Sequence, residues 1–535
     1  MSNSRTLAEN IADILKDVGI QRIFGVPGGG SSLDIIDAAA SNGIEFILCQ
    51  TECAAAIMAS VTGELSGIPG VVITGIGPGA ASVSNGVAYA FLEKSPLIVL
   101  TDTHQETATR PPHQIFDQNA FFKPITKKQI HLTPVNGSED FAAMLSVANQ
   151  SPPGPVHINL SAYDASQKTP PPSKQLNADM EIKNIKRKLL SEGRRIITQA
   201  SKPVLIIGHQ CRPNVYSEAC RSFAHQLGGA VMTTYKAKGV FPENNFLFAG
   251  HFTNAKADHT LLEQSDLIVF CGVDPVEMIP GKWPHKIPVM VLSETKTDSW
   301  PFVSAIELIG NLRDITKNIS SPTHVNWTKN EIGKQRRQLR RTIQNNSTSG
   351  RSPDFVIDTL VNTVPENVRL TVDAGAHMFS TMARWRALDP YDVLKSNGLS
   401  TMGFAIPAGI ASWLQDPVRP AVCVTGDGGL MMCLGELSTA ARLNANITVI
   451  VLNDASLSLI DIKQQRQQRP PIGVRTPRVN FAEVARALGC ETWKVNTQDP
   501  IEFAFKEALE TDGPTLVDVT IDPSGYRAQL TALRG

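Results

Sequence analysis

Short, wholly apolar runs recur along the chain, each bounded by turn residues and followed by a stretch long enough for one helix. They include RIFG at 22–25, VVIT at 71–74, PLIVLT at 96–101 and PVHINL at 155–160. The alternation restarts with PVLIIG at 203–208, AVMTT at 230–234, DLIVFCG at 266–272 and PVMVLS at 288–293. It restarts again with RLTVDAG at 369–375, AVCVTGDGG at 421–429, ITVIVLND at 447–454 and TLVDVTID at 515–522. Strands apolar on both faces belong in a parallel sheet covered by helices on both sides. The pattern therefore predicts an α/β chain of three doubly wound parallel-sheet domains, which suits 535 residues at about 150 per domain.

Two polar stretches separate the three rounds. SQKTPPPSKQLNAD at 166–179 is Pro-rich and reads as a linker. GKQRRQLRRTIQNNSTSGRSP at 333–353 closes the middle round, and its charges read as a solvated helix face. The expected domains are 1–170, 190–340 and 350–535. The first opens with a T-x-x-E capping box, Thr6 and Glu9, before an apolar helical face and a Gly19 stop.

Lys plus Arg is 50 and Asp plus Glu is 50, a formal net charge of zero. That balance argues against coating nucleic acid or an anionic membrane. The eight cysteines include no CxxC and no zinc-like spacing with His. Reduced thiols in a cytoplasmic protein are expected. The N-terminal segment lacks a signal-peptide core, and no apolar run approaches the roughly 20 residues of a membrane span.

The most informative segment is TGDGGLMMCLGELSTAARLNANITVIVLND, residues 425–454. It reads strand, glycine turn, helix, strand, with Asp427 and Asp454 at the carboxyl ends of the two strands. That edge of a parallel sheet is where ligands bind. Oxygen ligands beside a helix N-terminus suit Mg2+ and a phosphate.

The whole pattern resembles the signature of thiamine diphosphate (ThDP) enzymes, which begins GDG and ends NN or ND about 30 residues on. The resemblance implies Asp427 and Asp454 as side-chain ligands of Mg2+, with Ser456 a backbone-carbonyl ligand. Gly426, Gly428 and Gly429 would approach the diphosphate. CQTECAAAIMAS at 49–60 is similar to the pyrimidine-binding domain, which makes Glu52 the carboxylate that shares a proton with N1′ of the cofactor's ring. SNGLSTMGFAIPAGIASW at 396–413 resembles a segment of acetohydroxyacid synthases, large subunit. It implies that Met402 props the bent cofactor and that the Ser400 carbonyl accepts from the 4′-amino group. In DAGAHM, Gly375, Ala376 and His377 take the places of a diphosphate-contacting loop.

The same resemblance implies a carboligase or lyase that acts on a 2-oxo acid or aldehyde through a C2 carbanion–enamine. In PPHQIFDQNAFFKPITK at 111–127, His113 and Gln114 fall where the synthases face the reacting carbons. The acceptor helix, ASLSLIDIKQQRQQRPP at 455–471, has no Trp, and Lys463 stands near that place. A substrate other than that of acetolactate synthesis is therefore expected. A benzoylformate- or phenylpyruvate-type decarboxylase is the alternative, and a non-catalytic ThDP-binding subunit is a third reading, disfavoured by the intact Glu52, Asp427 and Asp454. FAD occurs in the central domain of such synthases, but PVLIIGHQCRP lacks G-x-G-x-x-G, so flavin is not expected; another nucleotide stays open. Family members share sites across a homodimer or homotetramer.

Overall fold

The computed structural model describes residues 5–104, 113–171, 187–319 and 321–534. Each round of apolar runs builds one six-stranded sheet, and the pairing within all three is parallel. The first contains Arg22–Val26, Glu45–Leu48, Gly70–Thr74, Leu97–Thr103, Gln129–His131 and Pro155–Ser161. The central sheet contains Pro203–Ile207, Ala230–Thr233, Phe248–His251, Leu267–Cys271, Val289–Ser293 and Ile306–Ile309. The third contains Arg369–Val372, Val393–Lys395, Ala421–Gly426, Ile447–Asn453, Glu491–Val495 and Thr515–Thr520. The innermost strands are buried at every position, as an apolar run with helices on both faces must be.

Numbered within each sheet in chain order, the strands lie 2-1-3-4-6-5 in the first and third sheets and 3-2-1-4-5-6 in the central one. The order reverses beside strand 1 in every sheet. Loops leaving the two strands at such a point diverge and leave a crevice at the carboxyl edge. The three crevices are bounded by residues 27–30 and 75–79, by 208–212 and 272–274, and by 373–377 and 427–429.

The opening helix, Leu7–Asp17, carries the expected reciprocal cap: Glu9 N–H donates to Thr6 Oγ1 at 3.2 Å and Thr6 N–H to Glu9 Oε2 at 2.8 Å. The linker reading of 166–179 needs correction at its start. Ser166 closes the helix Ala162–Ser166, and Lys168–Thr169 pairs antiparallel with Arg5–Thr6, so backbone bonds tie this segment down. Residues 172–186 of the linker region lie outside the described residues. The charged stretch at 333–353 begins inside the helix Lys329–Thr342, in which only Ile332 is buried.

The first and third sheets share one apolar core. Helices Glu52–Ser66 and Ala405–Gln415 meet there, and their alanines, among them Ala55, Ala56, Ala405 and Ala408, allow close approach. The Tyr89 and Phe404 rings add a contact across this boundary with centroids 5.1 Å apart, a geometry worth about 0.5–1.5 kcal/mol beyond area burial. Among the described residues, no helix is long and apolar enough to cross a membrane.

Candidate cofactor and active site

The crevice of the third sheet is built from two strand ends. After Ala421–Gly426 the helix Asp427–Cys433 begins at once, so the glycine turn lies inside its first turn. Asp427 is buried, and Asp454, just past Ile447–Asn453, faces it. Ser456 N–H and Ser458 Oγ both donate to Asp454, at 3.2 and 2.5 Å. Burial, and then the neighbouring carboxylate, hold Asp454 well above the usual carboxylate range; burial likewise raises Asp427. Two buried carboxylates forced together are a donor set for a hard divalent cation, whose charge replaces a shared proton. Ala455, between the two segments, sits at φ +58.

The glycines of this turn leave no room for side chains. A Cβ on Gly428 would stand 2.6 Å from Leu457 Cδ2 and 3.3 Å from Met402 Cε; one on Gly429 would collide with the Asp373 carboxylate. A Cβ on Gly426 would stand 3.0 Å from His377 Nδ1, and the same imidazole closes over Gly375. Ala376 is the N-cap of the helix His377–Arg384. His377 is buried with its Nε2 unpartnered, and burial lowers its pKa to about 4. An unpaired ring nitrogen over a glycine turn, beside two carboxylates, fits a Mg2+-bound diphosphate.

Met402 and Ser400 lie on a loop that other parts of the chain pin down. Ser400 is held at φ +54, a left-handed conformation usually taken by glycine. Asp373 accepts from Gly403 N–H and Phe404 N–H behind it, at 3.0 and 3.3 Å. In front, Glu93 Oε1 accepts from Asn397 N–H and Gly398 N–H at 2.5 and 2.6 Å, and Thr401 Oγ1 donates to Asn85 Oδ1 at 2.9 Å. Glu93 is paired at 2.9 Å with Lys236, which also meets Glu64 at 3.0 Å; Arg212 completes the row on Glu64 at 2.8 Å. This buried row joins all three sheets to the Ser400–Met402 loop.

The first sheet supplies a second group of site residues. Glu52 opens the helix Glu52–Ser66, and its Oε1 lies 3.2 Å from where a Cβ on Gly79 would stand. Gly77, at φ +64, packs directly under Gln114, itself at φ +62. Glu52, the 77–79 turn and Gln114 thus form one edge. His113 is exposed beside it, with its carbonyl 3.1 Å from His104 Nε2. Gln114, Ser400 and Ala455 are three of the eight non-glycine residues with positive φ among the described residues, and such strain gathers at functional sites.

Several residues here escaped the sequence reading. Asp373 ends a strand that had been singled out, so a carboxylate at a carboxyl edge was visible but not used. Glu436 accepts from Gln50 N–H and Thr51 N–H at 3.0 and 3.1 Å, fixing the start of the Glu52 helix. Nothing local in the sequence marks Glu93, Lys236 or Glu436. On the acceptor side, Leu457 lies against Gly428, Leu459 packs into the third sheet's core, and Ile460 and Lys463 face solvent.

The central crevice is different. Gly208 N–H donates to Cys271 O at 2.9 Å and Gln210 N–H to Gly272 O at 3.0 Å, so its two loops are zipped together. A Cβ on Gly208 would collide with Val273, and one on Gly272 would stand 2.7 Å from Cys211 Sγ.

Three family models described as thiamine pyrophosphate enzyme domains match the chain in order: the N-terminal TPP binding domain at 5–124, the central domain at 191–317 and the C-terminal TPP binding domain at 373–519. The chain belongs to the thiamine pyrophosphate enzymes. It is 27% identical to an acetolactate synthase of Bacillus subtilis (strain 168), over 97% of this chain and 93% of that protein. It is 28% identical to a catabolic acetolactate synthase of Raoultella terrigena, over 96% and 95%. A putative thiamine pyrophosphate-containing protein of Bacillus subtilis, YdaP, is 24% identical over 97% and 92%. This thiamine pyrophosphate enzyme therefore resembles acetolactate synthases along nearly its whole length.

Proposed function

We propose that this enzyme is a ThDP- and Mg2+-dependent carboligase of the acetolactate synthase type that acts on a 2-oxo acid and joins it to an acceptor other than pyruvate. The observation that carries the reading is the pairing of Asp427 with Asp454 beneath the unpartnered His377 at a strand-order reversal. When bound, ThDP supplies the carbon nucleophile that takes up the keto group and holds the charge left after CO2 departs.

The chain's own residues then divide the work. Asp427 and Asp454 hold the cation with the Ser456 carbonyl. Gly375, Ala376, His377, Gly426, Gly428 and Gly429 cradle the diphosphate. Glu52 holds a proton at N1′ of the pyrimidine, and the Ser400 carbonyl accepts from the 4′-amino group. Met402 fixes the bend between the two rings. Gln114 and His113 face the substrate and orient its carboxylate and carbonyl. Leu457 forms an apolar wall, and the absence of an aromatic grip after Asp454 supports a larger acceptor.

Glu52 and the diphosphate cradle come from different chains of a homodimer, or of a tetramer built from it. The exposure of Met431 and Met432 beside Gly403 supports a covering partner. The domain limits 1–170, 190–340 and 350–535 go with this reading. No flavin takes part, in keeping with the zipped central crevice. The eight free thiols suit a reducing cytoplasm.

The test is incubation of the ThDP–Mg2+ enzyme with a panel of 2-oxo acids and aldehydes, measuring CO2 and acyloin together. Acyloin from a larger donor or acceptor supports the proposal. Free aldehyde as sole product points to the decarboxylase reading. A kcat/KM for pyruvate more than about tenfold above larger 2-oxo acids, over 1 kcal/mol, makes the chain an ordinary acetolactate synthase.

A further inference from the structure

No Cys/His spacing in the sequence suggested a metal site, yet the fold brings Cys271 onto Cys211 and Cys220, two cysteines of an earlier turn and helix. Cys211 ends the short turn His209–Cys211, Cys271 ends the strand Leu267–Cys271 and Cys220 lies on the helix Asn214–Leu227. The Cys211 and Cys271 sulfurs are 3.7 Å apart and those of Cys220 and Cys271 4.0 Å; all three fall within 4.8 Å of one another. All are buried in the central sheet's apolar core, at the crevice that the two zipped loops close.

We propose that Cys211, Cys220 and Cys271 form a binding site for a soft, thiophilic cation, Cu(I). The spacing suits it: three metal–thiolate bonds of about 2.3 Å at trigonal angles set sulfurs about 4.0 Å apart. A disulfide, by contrast, needs about 2.05 Å between sulfurs, so these are separate thiols. Among the described residues no His or carboxylate joins the group, so it lacks the charged oxygen ligands that a hard cation prefers. Zn2+ prefers four ligands, and an apolar core offers it no water for the fourth place. Thiolate-only, three-ligand coordination selects Cu(I).

Binding balances simply. Each sulfur that bonds the metal releases its thiol proton to solvent, and no electron moves, so affinity falls with falling pH. His209, Gln210, Arg212 and Pro213, which flank Cys211, line a cleft of about 420 Å3 between the first two domains. Arg212 pairs with Glu64 at the domain junction, so the occupied site would brace that contact.

The test uses the reduced full-length protein under anaerobic conditions, with Cu(I) supplied on a chromophoric chelator. The wild type is expected to withdraw one equivalent per chain. Cys271→Ser and Cys220→Ser, each assayed separately, are expected to bind at least tenfold more weakly. Cys423→Ser, a buried thiol outside the cluster, should keep wild-type affinity. Cd2+ gives a second readout: a sulfur-to-metal absorption present in the wild type and lost in both cluster variants. Far-ultraviolet circular dichroism verifies folding, and Cys211→Ser replaces any variant that does not fold. No uptake by the wild type, or equal uptake by the folded cluster variants, overturns the site.

Discussion

The crevices of the central and third sheets occupy equivalent places: each lies at the carboxyl edge where the strand order reverses. One is open and polar, lined by Asp373, His377, Asp427 and three glycines without space for side chains. The other is closed by two backbone hydrogen bonds and filled with sulfur. Topology therefore offers a site, and a few residues at two strand ends decide whether it is used. In both crevices glycine lets parts of the chain approach closely: Leu457 and Asp373 lie against Gly428 and Gly429, and Val273 and Cys211 against Gly208 and Gly272.

The contrast breaks most sharply at Asp427. Asp427→Ala is expected to abolish Mg2+-dependent ThDP binding in calorimetric titration, whereas Gln210→Ala at the closed crevice should leave affinity within about threefold. Equal losses from both would dissolve the distinction. Glu52→Gln probes the pyrimidine edge. It should retain most cofactor affinity while slowing hydrogen–deuterium exchange at the cofactor's C2 by about 10²–10⁴; wild-type exchange would remove Glu52 from the proton path.

Glu93 links the two crevices. Glu93→Gln removes one of the two carboxylates that hold Lys236 and leaves Glu64 at 3.0 Å, so the loss should stay below the roughly 3–5 kcal/mol of a buried charge left without any partner. Chemical denaturation should show the loss, with weakened ThDP binding beside it. Replacing Lys236 by Met in the same chain should restore part of the stability. Unchanged ThDP affinity in a folded Glu93→Gln protein would reduce the row to a scaffold.

A smaller effect comes from His377. Its folded-state pKa of about 4 lies below the ordinary 6.5, so the unfolded chain takes up the proton first. The stability it contributes is complete above about pH 6.5 and is lost as pH falls toward 4, about 3 kcal/mol in all. Denaturation midpoints of cofactor-free wild type and His377→Gln should diverge across that window, the variant showing the shallower loss. The smallest expected effect is at Lys463, which faces solvent. Lys463→Ala should change kcat/KM by less than about threefold; a larger change would put it in the acceptor pocket.

The strands were readable from the chain because a run such as VLTD or IVLND has one plausible environment, a sheet buried on both faces. The glycine turn and its two aspartates were readable because their functional order is also their sequence order. Glu93, Lys236 and Glu436 were not, since each is buried against partners over 100 residues away and looks locally like an ordinary surface charge. The three cysteines were missed for another reason: Cys211, Cys220 and Cys271 match no metal-ligand spacing, and the pairing of two strands brings the third onto the first two. Among its described residues, the linker reading failed at Ser166, which closes a helix, and at Lys168–Thr169, which found a backbone partner at the other end of the domain.

Glu93 grips the backbone of the Ser400–Met402 loop while itself held by a lysine from the central domain. A nascent chain can complete its third sheet yet lack this grip until the middle domain has docked. The position of a loop in the third domain is thereby tied to the docking of the central one through a single carboxylate.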